Sequence, residues 1–183
     1  MFKIKVILLG EARVGKTAII NQYIRCSFEE WSWATSTPKH STKEIDIYGK
    51  PLHLEIWDTS GSQSYRAINK IYMRNIDIAL LIYDITDRRS FKELNYWIEN
   101  IKYMNNKEVL FGVIGNKNDL YEKRDIDEEE GMKFAKNNNI LFFETSAKDY
   151  DSVENVFLRS AQEYLRKLEK EVNLKKGYTY LKK

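Results

Sequence analysis

Hydrophobic and polar positions along the chain change period several times, and each change marks an element. Phe2 to Leu9 is apolar enough to be a central strand, although Lys3 and Lys5 alternate into its start. A helical run follows over Ala18 to Cys26. Ser27 to Pro38 has no clean period and reads as a long loop. Ile45 and Ile47 then alternate with Lys43, Glu44 and Asp46, the mark of a half-exposed strand over Lys43 to Tyr48. Tyr48-Gly-Lys-Pro51 turns it, and Leu52 to Trp57 alternates back, completing a hairpin. From there strand and helix repeat. Ile76 to Tyr83 and Val109 to Gly115 are nearly continuous apolar runs, as strands covered on both faces are. Ser90-Phe-Lys-Glu93 has the form of a capping box opening a helix to about Asn105. Asp127-Glu-Glu-Glu130 opens another helix with acids that suit its dipole. Ile140 to Phe143 is a short strand, and Asp151-Ser-Val-Glu154 opens a last helix carrying Val153, Val156, Phe157, Ala161 and Leu165 at helical spacing. This order predicts a three-layer α/β fold: a six-stranded, mostly parallel sheet with one antiparallel strand and helices on both faces. In such sheets the loops at the carboxyl ends of the strands build the site.

Composition narrows the picture only a little. With 183 residues, 43% hydrophobic and 31% charged, the chain fits one ordinary globular domain. A net charge of +3 is too small to argue for nucleic acid or a membrane surface. The single cysteine, Cys26, permits no internal disulfide, points to a reducing compartment, and at the close of the first helix reads as a buried structural thiol. The charged, alternating N-terminus is a strand rather than a signal peptide.

The chemistry begins at Gly10-Glu-Ala-Arg-Val-Gly-Lys-Thr17, between the first strand and the first helix. The spacing G-x-x-x-x-G-K-[ST] is that of a phosphate-binding loop. Its glycines bring backbone N–H groups close to phosphate oxygens, and the helix start adds the positive end of its dipole. Lys16 carries the charge for the outer phosphates and Thr17 a hydroxyl for Mg²⁺. Trp57-Asp-Thr-Ser-Gly61 follows the hairpin, so that Asp58 can hold Mg²⁺ through water and Gly61 can offer its N–H to a γ-phosphate. In Gly115-Asn-Lys-Asn-Asp119 the expectation is a buried Asp119 carboxylate with no basic partner. Guanine supplies the pair of donors, N1–H and N2–H₂, that one carboxylate accepts together; adenine does not. Asn116 can tie this loop to the phosphate loop, and the Lys117 stem can lie along the base. Glu144-Thr-Ser-Ala-Lys148 adds the Ala147 N–H for guanine O6 and Lys148 to cover the base.

With these motifs in this order, Phe2 to about Lys170 resembles a small GTPase of the Ras superfamily and, within it, the Rab family. The Rab-like stretches are Ile56-Trp57-Asp-Thr, Tyr65-Arg-Ala-Ile68, Tyr72-Met-Arg74 and Tyr83-Asp-Ile-Thr86. The resemblance implies a P-loop G domain over residues 1–170 and a basic tail over 171–183. It implies a GTP/GDP switch with Mg²⁺, hydrolysing GTP, monomeric, without nucleic acid as a partner. Effector, exchange-factor and GTPase-activating proteins are the implied partners. Vesicle traffic is the implied role, in the cytoplasm or on the cytosolic face of an endomembrane. The nucleotide site it implies comprises Ala12, Arg13, Val14, Gly15, Lys16, Thr17, Ala18, Phe28, Thr35, Gly61, Asn116, Lys117, Asp119, Leu120, Ser146, Ala147 and Lys148. Phe28 stands where the family stacks an aromatic ring on guanine. Thr35 stands where it places the Mg²⁺-binding switch threonine, with Thr37 as the competing hydroxyl.

Four departures qualify the resemblance. The family's Asp-Thr-Ala-Gly-Gln-Glu is here Asp58-Thr-Ser-Gly-Ser-Gln63. Ser62 takes the position of the water-orienting glutamine, its hydroxyl is too short for that task, and Gln63 is one residue late, so weak intrinsic hydrolysis is expected. The alternative is a module that binds GTP, hydrolyses negligibly and acts as a scaffold. Arg13 occupies a small-residue position; it either faces solvent or folds over the phosphates. In the first switch, Thr35-Ser-Thr-Pro-Lys-His40 puts His40, expected at the surface, where an aromatic is usual, while Trp31 and Trp33 either fold onto the domain or mark a partner surface. Finally, the prenylated cysteines usual at a Rab C-terminus are missing. Either the chain is a piece of a longer protein, or the parent continues into another segment, or it carries no lipid anchor, which leaves membrane association open.

Overall fold

The computed structural model describes residues 2–30, 35, 37–62 and 71–180. Gln63, Trp31, Trp33 and the Tyr65–Ile68 stretch fall outside them. The elements are β1 (Phe2–Leu9), α1 (Lys16–Arg25), β2 (Lys39–Ile47), β3 (Lys50–Asp58), β4 (Ile78–Asp84), α2 (Arg88–Lys92), α3 (Leu94–Met104), β5 (Leu110–Asn116), α4 (Glu128–Asn138), β6 (Leu141–Glu144) and α5 (Tyr150–Tyr180). The sheet order is β2-β3-β1-β4-β5-β6; β2 runs antiparallel to β3, and every other pairing is parallel.

Strand periodicity sorts the core into two layers. From β1, Ile4, Val6 and Leu8 enter the layer under α1 and α5, beside Ile19, Tyr23, Val156 and Phe157. Ile7 and Leu9 enter the opposite layer, beside Leu94, Trp97 and Ile101 of α3 and Ala135 of α4. All seven residues of β4 and of β5 are buried, because helices cover both their faces. Tyr23 and Phe157 stack with ring centres 3.9 Å apart, which docks α1 on α5.

Several boundaries differ from the sequence reading. The strand expected from Lys43 starts at Lys39, since backbone pairing with β3 (His40 opposite Trp57) extends beyond the alternating run. His40 is exposed, its ring 4.8 Å from that of Trp57. The capping box at Ser90 is not formed. Asp87 caps α2 by accepting from the Arg89 N–H at 3.0 Å, and a single turn residue, Glu93, separates α2 from α3. Ser90 is instead buried, its hydroxyl donating to the Asp87 carbonyl at 2.7 Å. Cys26 is exposed rather than buried: it is the left-handed residue (φ 50°) that ends α1, so its side chain leaves the buried face of the helix. The last helix spans Tyr150–Tyr180.

Candidate functional site

Strands β1, β3, β4, β5 and β6 all end at one edge of the sheet, and the polar residues at those ends converge. After Leu9 the chain turns through Gly10 to Gly15 and enters α1 at Lys16. Gly15 is left-handed (φ 97°), and a Cβ there would lie 2.2 Å from Asn116 Nδ2. Only glycine fits both the backbone and the space. Asn116 donates from Nδ2 to the Val14 carbonyl at 2.7 Å, so the end of β5 is tied to this loop. The Arg13 side chain, also on a left-handed backbone (φ 67°), is exposed, as is Ala12.

Lys16 is buried at 5% exposure inside the loop. Its ammonium donates to the carbonyls of Gly10 (2.9 Å) and Glu11 (2.8 Å). Burial pushes its pKa down to about 8, against the favourable charges of Asp58 and Glu11. Among the described residues two of its three donors are taken, which leaves one for an arriving anion.

Beside it lies an oxygen cluster. Thr17 Oγ1 donates to Asp58 Oδ2 at 2.7 Å and stands 2.8 Å from Thr35 Oγ1. Thr37 is exposed. Asp58 is 3% exposed; burial raises its pKa, opposed by the Thr17 hydroxyl and the Lys16 charge. Its Oδ1 is buried with no hydrogen-bond partner among the described residues. A buried, partnerless carboxylate oxygen beside two hydroxyls is a hard, all-oxygen donor set, and it fits Mg²⁺. Among the described residues no group of three or more His, Cys, Asp or Glu could hold a metal. One carboxylate completed by hydroxyls and phosphate oxygens is the arrangement Mg²⁺ favours. Thr59 donates to the Leu8 carbonyl at 2.7 Å, anchoring the turn that follows. Gly61 is pressed against the phosphate loop: a Cβ would lie 2.3 Å from Ala12 N. The Ser62 N–H reaches Ser60 Oγ at 3.4 Å.

The third group comes from β5 and β6. Asp119 is neither buried nor without a basic partner, which corrects the sequence reading. Its side chain is 29% exposed, and its carboxylate accepts from Lys148 Nζ at 2.9 Å and Ser146 Oγ at 2.7 Å. Partial burial opposes ionisation, but those two hydrogen bonds outweigh it and hold the carboxyl below its ordinary range. The Ala147 N–H, expected at guanine O6, donates to Asn116 Oδ1 at 3.2 Å. The Lys148 ammonium lies 5.6 Å from the centre of the Phe28 ring, so Phe28, Lys148 and Asp119 line one slot. Leu120, half-buried, sits in a short 3₁₀ turn over Asn118–Lys123. Sequence reasoning missed Asp84, whose carboxylate meets Lys117 Nζ at 2.5 Å. The signal was available: Asp84 ends β4 as Asp58 ends β3 and Asn116 ends β5.

A phosphate loop, a Mg²⁺-compatible oxygen cluster and the Phe28–Lys148–Asp119 slot thus lie together at the carboxyl ends of the strands. The model of the Ras family matches residues 5–166. The chain belongs to the Ras family. A relative, Ras-related protein RabQ of Dictyostelium discoideum, is 44% identical over 156 residues, covering 85% of this chain and 76% of that protein. Together they make this a Rab-type small GTPase. Membership in that family makes it a small-GTPase switch that binds guanine nucleotides; such GTPases generally work with Mg²⁺ and answer to regulators and effectors. Among the described residues no helix is long and apolar enough to cross a membrane.

Proposed function

We propose that this GTPase is a slow-hydrolysing Rab-type switch in vesicular membrane traffic, with its rate set largely by partner proteins. The observation that carries the reading is Ser62, which stands in the turn after Asp58 at the position of the water-orienting glutamine. A seryl hydroxyl is too short to span an attacking water and the γ-phosphate. Arg13 is exposed, which supports the reading that no cis guanidinium compensates. The vesicular role follows from likeness to a Rab-named relative.

In this account Lys16 and the loop N–H groups bind the phosphates and stabilise negative charge on the transferring phosphoryl group. Thr17 and Thr35, with Asp58 through water, would hold Mg²⁺, which supplies charge neutralisation at the phosphate oxygens. Gly61 offers its N–H to the γ-phosphate. Asp119, exchanging its Lys148 contact for the base, accepts the guanine donors, while Phe28 and the Lys117 stem enclose the ring. Water attacks in line, so no covalent intermediate forms. Residues 1–170 make the nucleotide-binding unit and 171–183 a basic extension.

The test is Ser62→Gln. If Ser62 limits the chemistry, the single-turnover hydrolysis rate rises by about tenfold or more, within the range of positioned proton-transfer and water-orienting groups. An unchanged rate would show that the glutamine position does not set it. No detectable hydrolysis in either protein would favour the GTP-binding scaffold, which Ser62 also motivates.

A further inference from the structure

We propose that Asp84 is a positioning residue for nucleotide binding: it fixes Lys117 so that the lysine stem is already in place for the base. This rests on the reading of the Phe28–Asp119 slot as the guanine site. Lys117 follows Asn116 at the end of β5 on a left-handed backbone, φ 66° and ψ 36°. A residue with a Cβ is costly to hold there, so the surroundings must fix it. Its Leu120 N–H contact at 2.8 Å fixes the carbonyl. The side chain is fixed by Asp84, which lies directly opposite Asn116 in the β4–β5 register. One oxygen of that carboxylate accepts from both the N–H (2.8 Å) and the hydroxyl (2.7 Å) of Thr86, and the other meets Lys117 Nζ at 2.5 Å. The Asp84 N–H in turn donates to Ser90 Oγ at 3.0 Å. The Asp84 side chain is only 10% exposed, so the pair is shielded from water on that side.

The consequence is entropic. A free lysine stem must give up its rotamers when it packs against a ligand, whereas a stem pinned at its amine has already lost them. Asp84 therefore acts through Lys117 and touches neither phosphate nor base.

Release of a fluorescent GDP analogue tests this in four forms of the chain: wild type, Asp84→Asn, Lys117→Ala and the double variant. Asparagine keeps an oxygen for Thr86 and turns its NH₂ toward Lys117, so both the charge and the acceptor that hold the ammonium are lost. The expected result is release about tenfold faster in D84N, the scale of one lost charge-assisted hydrogen bond. The double variant is expected to match K117A alone, a non-additivity that a purely structural role for Asp84 would not produce. Asp84→Glu, which retains the charge, is expected to release more slowly than D84N. Release from D84N equal to wild type, or effects that simply multiply in the double variant, would overturn the inference and leave the base site standing. Failure of the wild type to bind the analogue at all would overturn the base-site reading and this inference with it.

Discussion

Burial of Lys16 has a measurable proton consequence. The fall of its pKa from 10.5 to about 8 corresponds to about 3 kcal/mol of discrimination against the charged form. The sign is that of a base depressed by folding. Between pH 8 and 10.5 the unfolded chain binds more protons than the folded one, so this group makes stability rise with pH across that window and contributes no slope below it. Nucleotide binding reverses the balance. A pyrophosphate beside the ammonium favours the charged form, so binding takes up a proton wherever Lys16 is neutral beforehand. Roughly a tenth of Lys16 is neutral at pH 7.0 and roughly three-quarters at pH 8.5. The nucleotide's own terminal phosphate, with a pKa of about 6, is silent at pH 8.5; at pH 7.0 roughly a tenth of it is protonated, and losing that proton on binding offsets the small uptake by Lys16. Titration calorimetry of GDP binding in two buffers of different ionisation enthalpy gives the proton uptake directly. We expect almost none at pH 7.0 and roughly three-quarters of a proton at pH 8.5, with affinity falling as pH rises through 8. Equal uptake at the two values would refute the reasoning, because it would mean that the buried ammonium keeps its ordinary pKa or does not meet the phosphates.

Three further outcomes follow from the geometry. Asp58→Ala removes the buried partnerless oxygen, and the Mg²⁺ concentration needed to slow GDP release should rise roughly 10–100-fold, read from release rates in a Mg²⁺ titration. Gly61→Ala drives a methyl group to within 2.4 Å of both the Ala12 nitrogen and the Glu11 carbonyl, an overpacking worth about 1–3 kcal/mol that the loop relieves by moving. Competition binding should show GTP losing affinity relative to GDP, and an unchanged ratio would separate Gly61 from γ-phosphate sensing. Arg124→Met strands Glu144, whose two oxygens accept from the guanidinium at 2.6 and 2.8 Å and whose side chain is 11% exposed. A loss of about 2 kcal/mol is expected, seen as a fall of roughly 4–8 °C in melting temperature with GDP release unaltered.

The layers were legible in the sequence wherever burial alone decides a position. Ile4, Val6 and Leu8 against Ile7 and Leu9 already state that β1 has two covered faces, and the uninterrupted apolar runs of β4 and β5 state the same. The phosphate loop was legible because backbone geometry demands its glycines at fixed spacing. Partner choice was not. Ser90-x-x-Glu93 satisfies the form of a capping box, yet Asp87 lies three residues earlier and the Ser90 hydroxyl is drawn to the backbone at the end of β4. Asp119 and Lys148 lie 29 residues apart and meet only because β5 and β6 end side by side, so no local pattern announces the pair. Cys26 was misjudged because helical spacing does not reveal which residue will turn left-handed to end the helix.

The central claim, a guanine-nucleotide switch that hydrolyses GTP slowly by itself, is tested most directly by single-turnover GTP hydrolysis. The purified chain would be assayed with Mg²⁺ after the copurifying nucleotide has been identified. The account predicts bound GDP and a slow, steady, Mg²⁺-dependent conversion of GTP. Bound GTP that stays intact for many hours would contradict it, moving control to nucleotide exchange or to an activating partner and making the chain a GTP-held binding module.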